Sequence, residues 1–250
     1  MRTDGREANQ LRAISIQPDT LRYAEGSVLI TMGHTKIICT ATVEPNVPKW
    51  LMGQGSGWVT AEYGMLPRST HTRISREKSM SGGRTQEISR LIGRSLRAAL
   101  DLKALGEKQI TVDCDVIQAD GGTRTASVTG GFVALALALK FLKDHGQLST
   151  IPIRSYVAAI SAGISHSGVI LDLNYDEDSS INTDMNFVMT NENQLVEIQG
   201  TAEGATFGFG ELNQMIELAQ MGCQQIFKEQ EKIIGGFFPL GTKTNSNNRS

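Results

Sequence analysis

Cys114-Asp-Val-Ile-Gln-Ala-Asp-Gly-Gly-Thr-Arg-Thr-Ala-Ser127 joins a strand-like run, residues 109–113, to an apolar helix-like run, residues 128–142. Gly121 and Gly122 let the backbone turn sharply and approach a ligand closely. Thr123, Thr125 and Ser127 place hydroxyls at a helix start, where unpaired N–H groups and the positive end of the dipole favour an anion. Arg124 adds a planar, permanently charged fork that suits phosphate. Strand, Gly-rich turn, Arg and helix start together describe an oxyanion cradle. An ordinary tight turn before a capped helix reads the same way. No Gly-Lys-Ser/Thr triplet follows the turn and no Gly-x-Ser-x-Gly elbow is present, so neither a nucleoside triphosphate P-loop nor a serine nucleophile is indicated.

Outward from this segment the chain alternates short β-rich runs with helical patterns. The runs are 27–32, 36–43, 58–63, 109–117, 157–164, 169–173, 186–189 and 195–199; the helical patterns cover 85–103, 127–145 and 211–234. In the first helix Ile88, Leu91, Ile92, Leu96 and Ala99 form an apolar stripe, with Glu87, Arg90, Arg94 and Arg97 mostly off it. Antiparallel-looking hairpins between helices predict an α+β layered fold rather than a doubly wound parallel sheet. Residues 1–236 read as one domain with two halves meeting at a break near 146–152. Residues 237–250 read as a polar, disordered tail, and residues 64–83 as a mobile functional loop.

Hydrophobic content of 40% and charged content of 20% are those of a globular chain able to bury a full core. Cys39, Cys114 and Cys223 are far apart in apolar runs, which points to reduced core thiols rather than a disulfide scaffold. The first seven residues are charged with no apolar run behind them, and the apolar run 132–139 is too short to span a bilayer. These features predict a cytoplasmic protein. The formal net charge of −2 hides an asymmetry: residues 64–97 carry eight basic side chains against two acidic ones, a local +6 that leaves −8 for the rest. Seven of the eight are Arg, which favours contact with a polyanion over simple solubility.

A second constellation is acidic: Leu171-Asp-Leu-Asn-Tyr-Asp-Glu-Asp-Ser-Ser-Ile-Asn-Thr-Asp184. Asp172 is expected to end a strand, Asp176 to Asp178 to form a turn and Asp184 to open the next strand. A bend between Asp178 and Asp184 would bring both carboxylates to one site suited to Mg²⁺ or Mn²⁺. An acidic turn with capping duties fits the same residues. The four histidines form no pair at metal-ligand spacing, and His71 reads as a surface residue without a catalytic duty.

Five longer segments carry a resemblance: Ala24-Glu-Gly-Ser-Val28, the run from Gly57-Trp-Val-Thr-Ala-Glu-Tyr63 to Arg73, Gly82-Gly-Arg-Thr-Gln-Glu-Ile-Ser-Arg90, Cys114 to Ser127, and Glu197-Ile-Gln-Gly-Thr-Ala-Glu-Gly204. Over residues 2–234 the chain resembles the bacterial ribonuclease PH family of phosphate-dependent exoribonucleases, which trim the 3′ ends of transfer RNA precursors. The resemblance implies an RNase PH-type fold, two mixed β-sheets with helices between and around them, assembled as a hexameric ring of dimers. It assigns phosphate binding to Arg84, Gly122, Thr123 and Arg124, catalysis to Asp178, Asp184, Arg84 and Arg124, and transfer RNA binding to Arg68, Arg73 and Arg76. Asp178 and Asp184 would hold the Mg²⁺ or Mn²⁺, inorganic phosphate would be the co-substrate, and nucleoside diphosphates the products, with nucleotide addition in reverse. Two other readings stay open: a catalytically silent RNA-binding ring subunit, and a metal-dependent nuclease that uses water in place of phosphate.

Overall fold

Alternating burial along the β-rich runs sorts them into two sheets. The computed structural model describes Arg2, residues 4–204 and residues 206–241. The first sheet holds β1 (Ile14–Pro18), β2 (Gly26–Met32), β3 (Thr35–Glu44), β4 (Trp58–Met65) and β5 (Gln109–Gln118), in the order β1-β2-β3-β5-β4. Its neighbours are antiparallel except β4, which runs parallel to β5. The second sheet is antiparallel throughout, with β6 (Val157–Ser165), β7 (Gly168–Leu171), β8 (Thr183–Thr190) and β9 (Leu195–Ala202) in the order β7-β6-β8-β9. The helices are α1 (Arg76–Ser81), α2 (Gly83–Ala98), α3 (Leu102–Leu105), α4 (Thr123–Asp144), α5 (Tyr175–Asp178) and α6 (Phe209–Ile234). The fold is α+β and layered, as the alternating pattern predicts.

α4 sits between the sheets, packed on β2 and β3 on one side and β6 on the other. A helix covered on both sides has to be apolar nearly all round, and Phe132, Val133, Leu135, Ala136 and Leu139 are fully buried. By length and composition α4 would pass for a membrane span; here it is the core helix. Each such buried Leu or Phe stabilises the fold by about 1.5–3 kcal/mol. Close approach has its own requirement at Gly26, where a Cβ would run into the carbonyl of Ala134 on α4.

The predicted stripe on α2 is the face that packs: Ile88, Leu91, Ile92, Leu96 and the following Ala99 are all buried against the first sheet. The same helix protects the free edge of β4. Ser89 Oγ accepts from Tyr63 N at 3.0 Å, Ser79 Oγ on α1 accepts from Met65 N at 2.9 Å, and Arg97 Nη1 donates to Val59 O at 2.8 Å. An edge strand so occupied offers few free groups for pairing with another chain. Arg97 also lies over the Trp58 ring, 4.3 Å from its centroid.

Several expectations change. β1 goes unread in the sequence because it is short and buries only Ile16. The stretch 64–83 is not one mobile loop: it begins inside β4 and contains α1, and Ile74 N donates to Pro67 O while Ala119 N donates to Ser69 O. The strand expected to end at Asp172 stops at Leu171, since Asp172 takes a positive φ of 55° that breaks the ladder. The acidic turn 176–178 is the one-turn helix α5. Ordered packing also passes the boundary expected at 236: Phe238 is buried, its carbonyl accepts from Tyr156 Oη at 2.6 Å, and Leu240 N donates to Glu231 Oε1. Residues 242–250 of the expected tail lie outside the described residues.

Candidate active site

The turn between β5 and α4 starts the site. Gly121 and Gly122 both take positive φ, 69° and 65°, conformations that a side chain would strain. Gly122 is the N-cap of α4 and no side chain caps the helix there, so its first N–H groups remain for a ligand. Of the three hydroxyls expected to face an anion, only that of Thr123 lines the cleft. It shares a hydrogen bond of 2.9 Å with Tyr63 Oη, whose phenol burial pushes above its ordinary pKa and so keeps neutral. Thr125 Oγ1 instead donates back to Gly122 O at 2.9 Å, and Ser127 is fully buried in the core.

The cleft in front of this turn measures about 1080 Å³. Arg84 reaches it from the first turn of α2, Arg124 from α4, Asp178 from α5 and Asp184 from β8. Every residue assigned to phosphate binding or catalysis, Arg84, Gly122, Thr123, Arg124, Asp178 and Asp184, therefore lines one space. The bend expected between the two aspartates does bring them together. Burial first, and then the charge of Asp184, pushes the Asp178 carboxyl above its ordinary value, while Arg84, Arg124 and Arg12 pull it back. Arg124 is held from two sides, its Nη1 donating to Gln199 Oε1 at 3.0 Å and Glu87 Oε1 at 3.3 Å.

Sequence reasoning passed over Gln199, Tyr63, Asn186 and Tyr175. Gln199 lies within a quoted motif, but only the fold shows that its side of β9 faces the cleft; Tyr63 reaches the site only through its hydrogen bond to Thr123. His71, expected to be an idle surface residue, lines the cleft beside Tyr175, with ring centroids 5.3 Å apart. The basic stretch divides. Arg68, Arg73 and Arg76 are exposed; Arg68 Nη1 donates to His71 O at 2.7 Å. Arg76 lines a second cavity of about 540 Å³ on the outer side of β4, together with Arg90, Arg97 and the carboxylates of Glu62, Asp113 and Asp115. Among the described residues, no group of three or more His, Cys, Asp or Glu side chains meets to hold a metal.

A Bdellovibrio bacteriovorus ribonuclease PH is 61% identical over 240 residues, 96% of this chain and 99% of its own. A Caulobacter vibrioides ribonuclease PH is 56% identical over 238 residues, 94% of this chain and all of its own. A solved chain of the Archaeoglobus fulgidus exosome with RNA bound to the active site has a TM-score of 0.75 at 20% identity, covering 92% of both chains, and so shares the fold. The profile of the 3′ exoribonuclease family matches through its domain 1 at residues 10–140 and its domain 2 at residues 155–222. With both domains matched and relatives this similar over nearly its whole length, the chain belongs to the 3′ exoribonuclease family of RNase PH.

Proposed function

We propose that this protein is a phosphate-dependent 3′-to-5′ exoribonuclease that trims the 3′ ends of transfer RNA precursors, with the cleft at the start of α4 as its active site. One observation carries the reading: two arginines and two aspartates from four separate elements converge on one cleft beside an uncapped helix N-terminus. A silent ring subunit has no use for that complete set.

Arg84, Arg124, Gly122 and Thr123 hold inorganic phosphate against the repulsion of the RNA chain. An oxygen of that phosphate attacks the phosphorus of the last phosphodiester, and the bond from phosphorus to O3′ of the preceding nucleotide breaks. The terminal nucleotide departs as a nucleoside diphosphate, and O3′ takes a proton to become the new 3′ end. Phosphoryl transfer of this kind needs alignment and charge relief more than covalent chemistry, which a rigid cleft with fixed guanidinium groups supplies. Asp178 and Asp184 line the same cleft. Their mutual repulsion, and the small number of carboxylates, fit an ion such as Mg²⁺ or Mn²⁺, which Asp178 and Asp184 would hold. Such an ion, when bound, offsets charge on the reacting phosphate; a proton passed to O3′ from this carboxylate pair closes the reaction.

The His71 and Tyr175 rings offer the terminal base a stacking surface indifferent to its identity. Arg68, Arg73 and Arg76 contact the body of a folded RNA, away from the reacting bond. In the same reading the protein works in the cytoplasm as a hexamer of three dimers. Because the bond made resembles the bond broken, the reaction runs backwards when diphosphates are in excess. The test follows: given an RNA primer and nucleoside diphosphates, the protein should lengthen the primer and release phosphate. A hydrolytic nuclease would only shorten it.

A further inference from the structure

The N-terminal segment brings three arginines to the back of the active site. Their side chains are almost fully covered, Arg2 at 5%, Arg6 at 8% and Arg12 at 4% exposure, and they meet two equally buried carboxylates, Asp172 and Glu177. Arg12 grips Asp172 with Nε at 3.0 Å and Nη2 at 2.6 Å, and its backbone N donates to the same carboxylate at 2.8 Å. Its remaining nitrogen, Nη1, donates to the carbonyls of Asp120 and Gly121, in the turn that leads into the phosphate cradle. Arg2 takes Glu177 in a two-point fork, 2.7 Å at each oxygen, and also donates to Leu171 O and Asp172 O. Glu177 is the neighbour of Asp178 on α5, and it closes a capping box with Asn174.

The two sides of the cleft meet at this point. A Cβ on Gly121 would lie 2.5 Å from Leu173 O and 2.7 Å from the Asn174 carbonyl carbon, and Asp120 Oδ1 accepts from Tyr175 N at 3.3 Å. Asp172 is held in a left-handed conformation, a local strain that persists only where surrounding contacts fix it. Ordinary capping would not call for three buried guanidinium groups here.

We propose that Arg12 and Asp172, braced by Arg2 and Glu177, form a positioning clamp that fixes the phosphate-holding turn 120–124 relative to the carboxylate-bearing segment 174–184. Among the described hydrogen bonds, Arg12 is the only one of the three N-terminal arginines that holds both the turn 120–124 and Asp172, which leads into the carboxylate-bearing segment. Its planar fork binds Asp172 at two points while a third nitrogen holds the turn, which a Lys cannot do. Arg2 holds α5 through Glu177 and the chain just before it through Leu171 O and Asp172 O, with no hydrogen bond to the turn 120–124 among the described ones.

The inference rests on the active-site reading above, and two measurements separate them. In steady-state phosphorolysis, Arg12→Lys should lower kcat at least tenfold and raise the KM for phosphate several-fold, with RNA affinity in phosphate-free buffer unchanged. Arg2→Lys and Glu177→Gln should lower kcat and leave the phosphate KM alone, a split that general destabilisation would not give. Hydrogen exchange at residues 120–124 and 174–178, measured without any substrate, gives the second test. Both segments should lose protection together in Arg12→Lys, and only the second in Arg2→Lys. Wild-type kcat and phosphate KM in a folded Arg12→Lys protein, or loosening of a single segment, would overturn the clamp. If Arg12→Lys does not fold, the Arg2→Lys and Glu177→Gln pattern decides alone. An inactive wild type whose two segments still loosen together would instead overturn the functional reading and leave the clamp standing.

Discussion

Arg124 is four-fifths covered and tethered to Gln199 and Glu87, so in the proposed site it would meet the phosphate as a pre-aimed charge. Removing one partner of a buried, charged contact typically costs about 2–5 kcal/mol. Arg124→Ala should therefore raise the KM for phosphate by roughly thirtyfold or more, each 1.4 kcal/mol being about tenfold; Arg84→Ala, at an exposed position on the cleft, should raise it less, with RNA binding nearly intact in both. Near-normal rates at low phosphate in either purified variant would remove that residue from the phosphate site. Asp178 carries a different prediction. Its folded carboxyl lies above the ordinary value, so its favourable contribution is complete only below the unfolded value and is lost as pH rises through the folded one. Asp178→Asn should abolish turnover and yet melt at a higher temperature than wild type near neutral pH in metal-free buffer. That gain should shrink as pH falls toward about 4. A variant that melts lower at neutral pH would contradict the repulsion with Asp184. Arg124 and the two aspartates are legible in the sequence, because glycines, arginine and carboxylates keep their chemistry wherever they sit. Gln199 is not, since nothing in a single strand tells which cleft its side chain will enter.

α2 links the core to the chemistry: one face packs on the first sheet, its hydroxyl at Ser89 closes the β4 edge, and its first turn delivers Arg84. Ser89→Ala would leave Tyr63 N without its partner, at a cost of about 1–3 kcal/mol for a donor deprived of water. Thermal denaturation should show that loss, and phosphorolysis should fall with it because Tyr63 also positions Thr123. An unchanged melting temperature would mean that water replaces the hydroxyl and that the edge is not sealed. The stripe on α2 is readable because a 3.6-residue period reports burial directly. β1 is not, being a short strand in which one buried side chain, Ile16, gives no period to detect; α1, six residues long, is too short to show one. The positive φ at Asp172 is equally invisible, since a buried arginine from another part of the chain holds it there.

Taken whole, the molecule separates the reacting cleft from its basic surface. Arg68, Arg73 and Arg76 stay exposed and outside the cleft that holds Arg84 and Arg124. Replacing all three with Ala should weaken transfer RNA binding and flatten its salt dependence by roughly one log–log unit per lost phosphate contact. Activity on a short unstructured oligonucleotide should fall much less; an equal fall on both would place these arginines in the chemistry or in subunit assembly. The α+β layering is legible from alternation alone, whereas the two-sided burial of α4 emerges only once both sheets exist to cover it. Everything proposed for the cleft depends on phosphate, not water, being the attacking group. A 3′-tailed RNA should be incubated with the protein in carefully desalted buffer, with and without inorganic phosphate, and the released nucleotides resolved. The account predicts nucleoside diphosphates in proportion to added phosphate and no trimming in its absence; nucleoside monophosphates released without phosphate would contradict it.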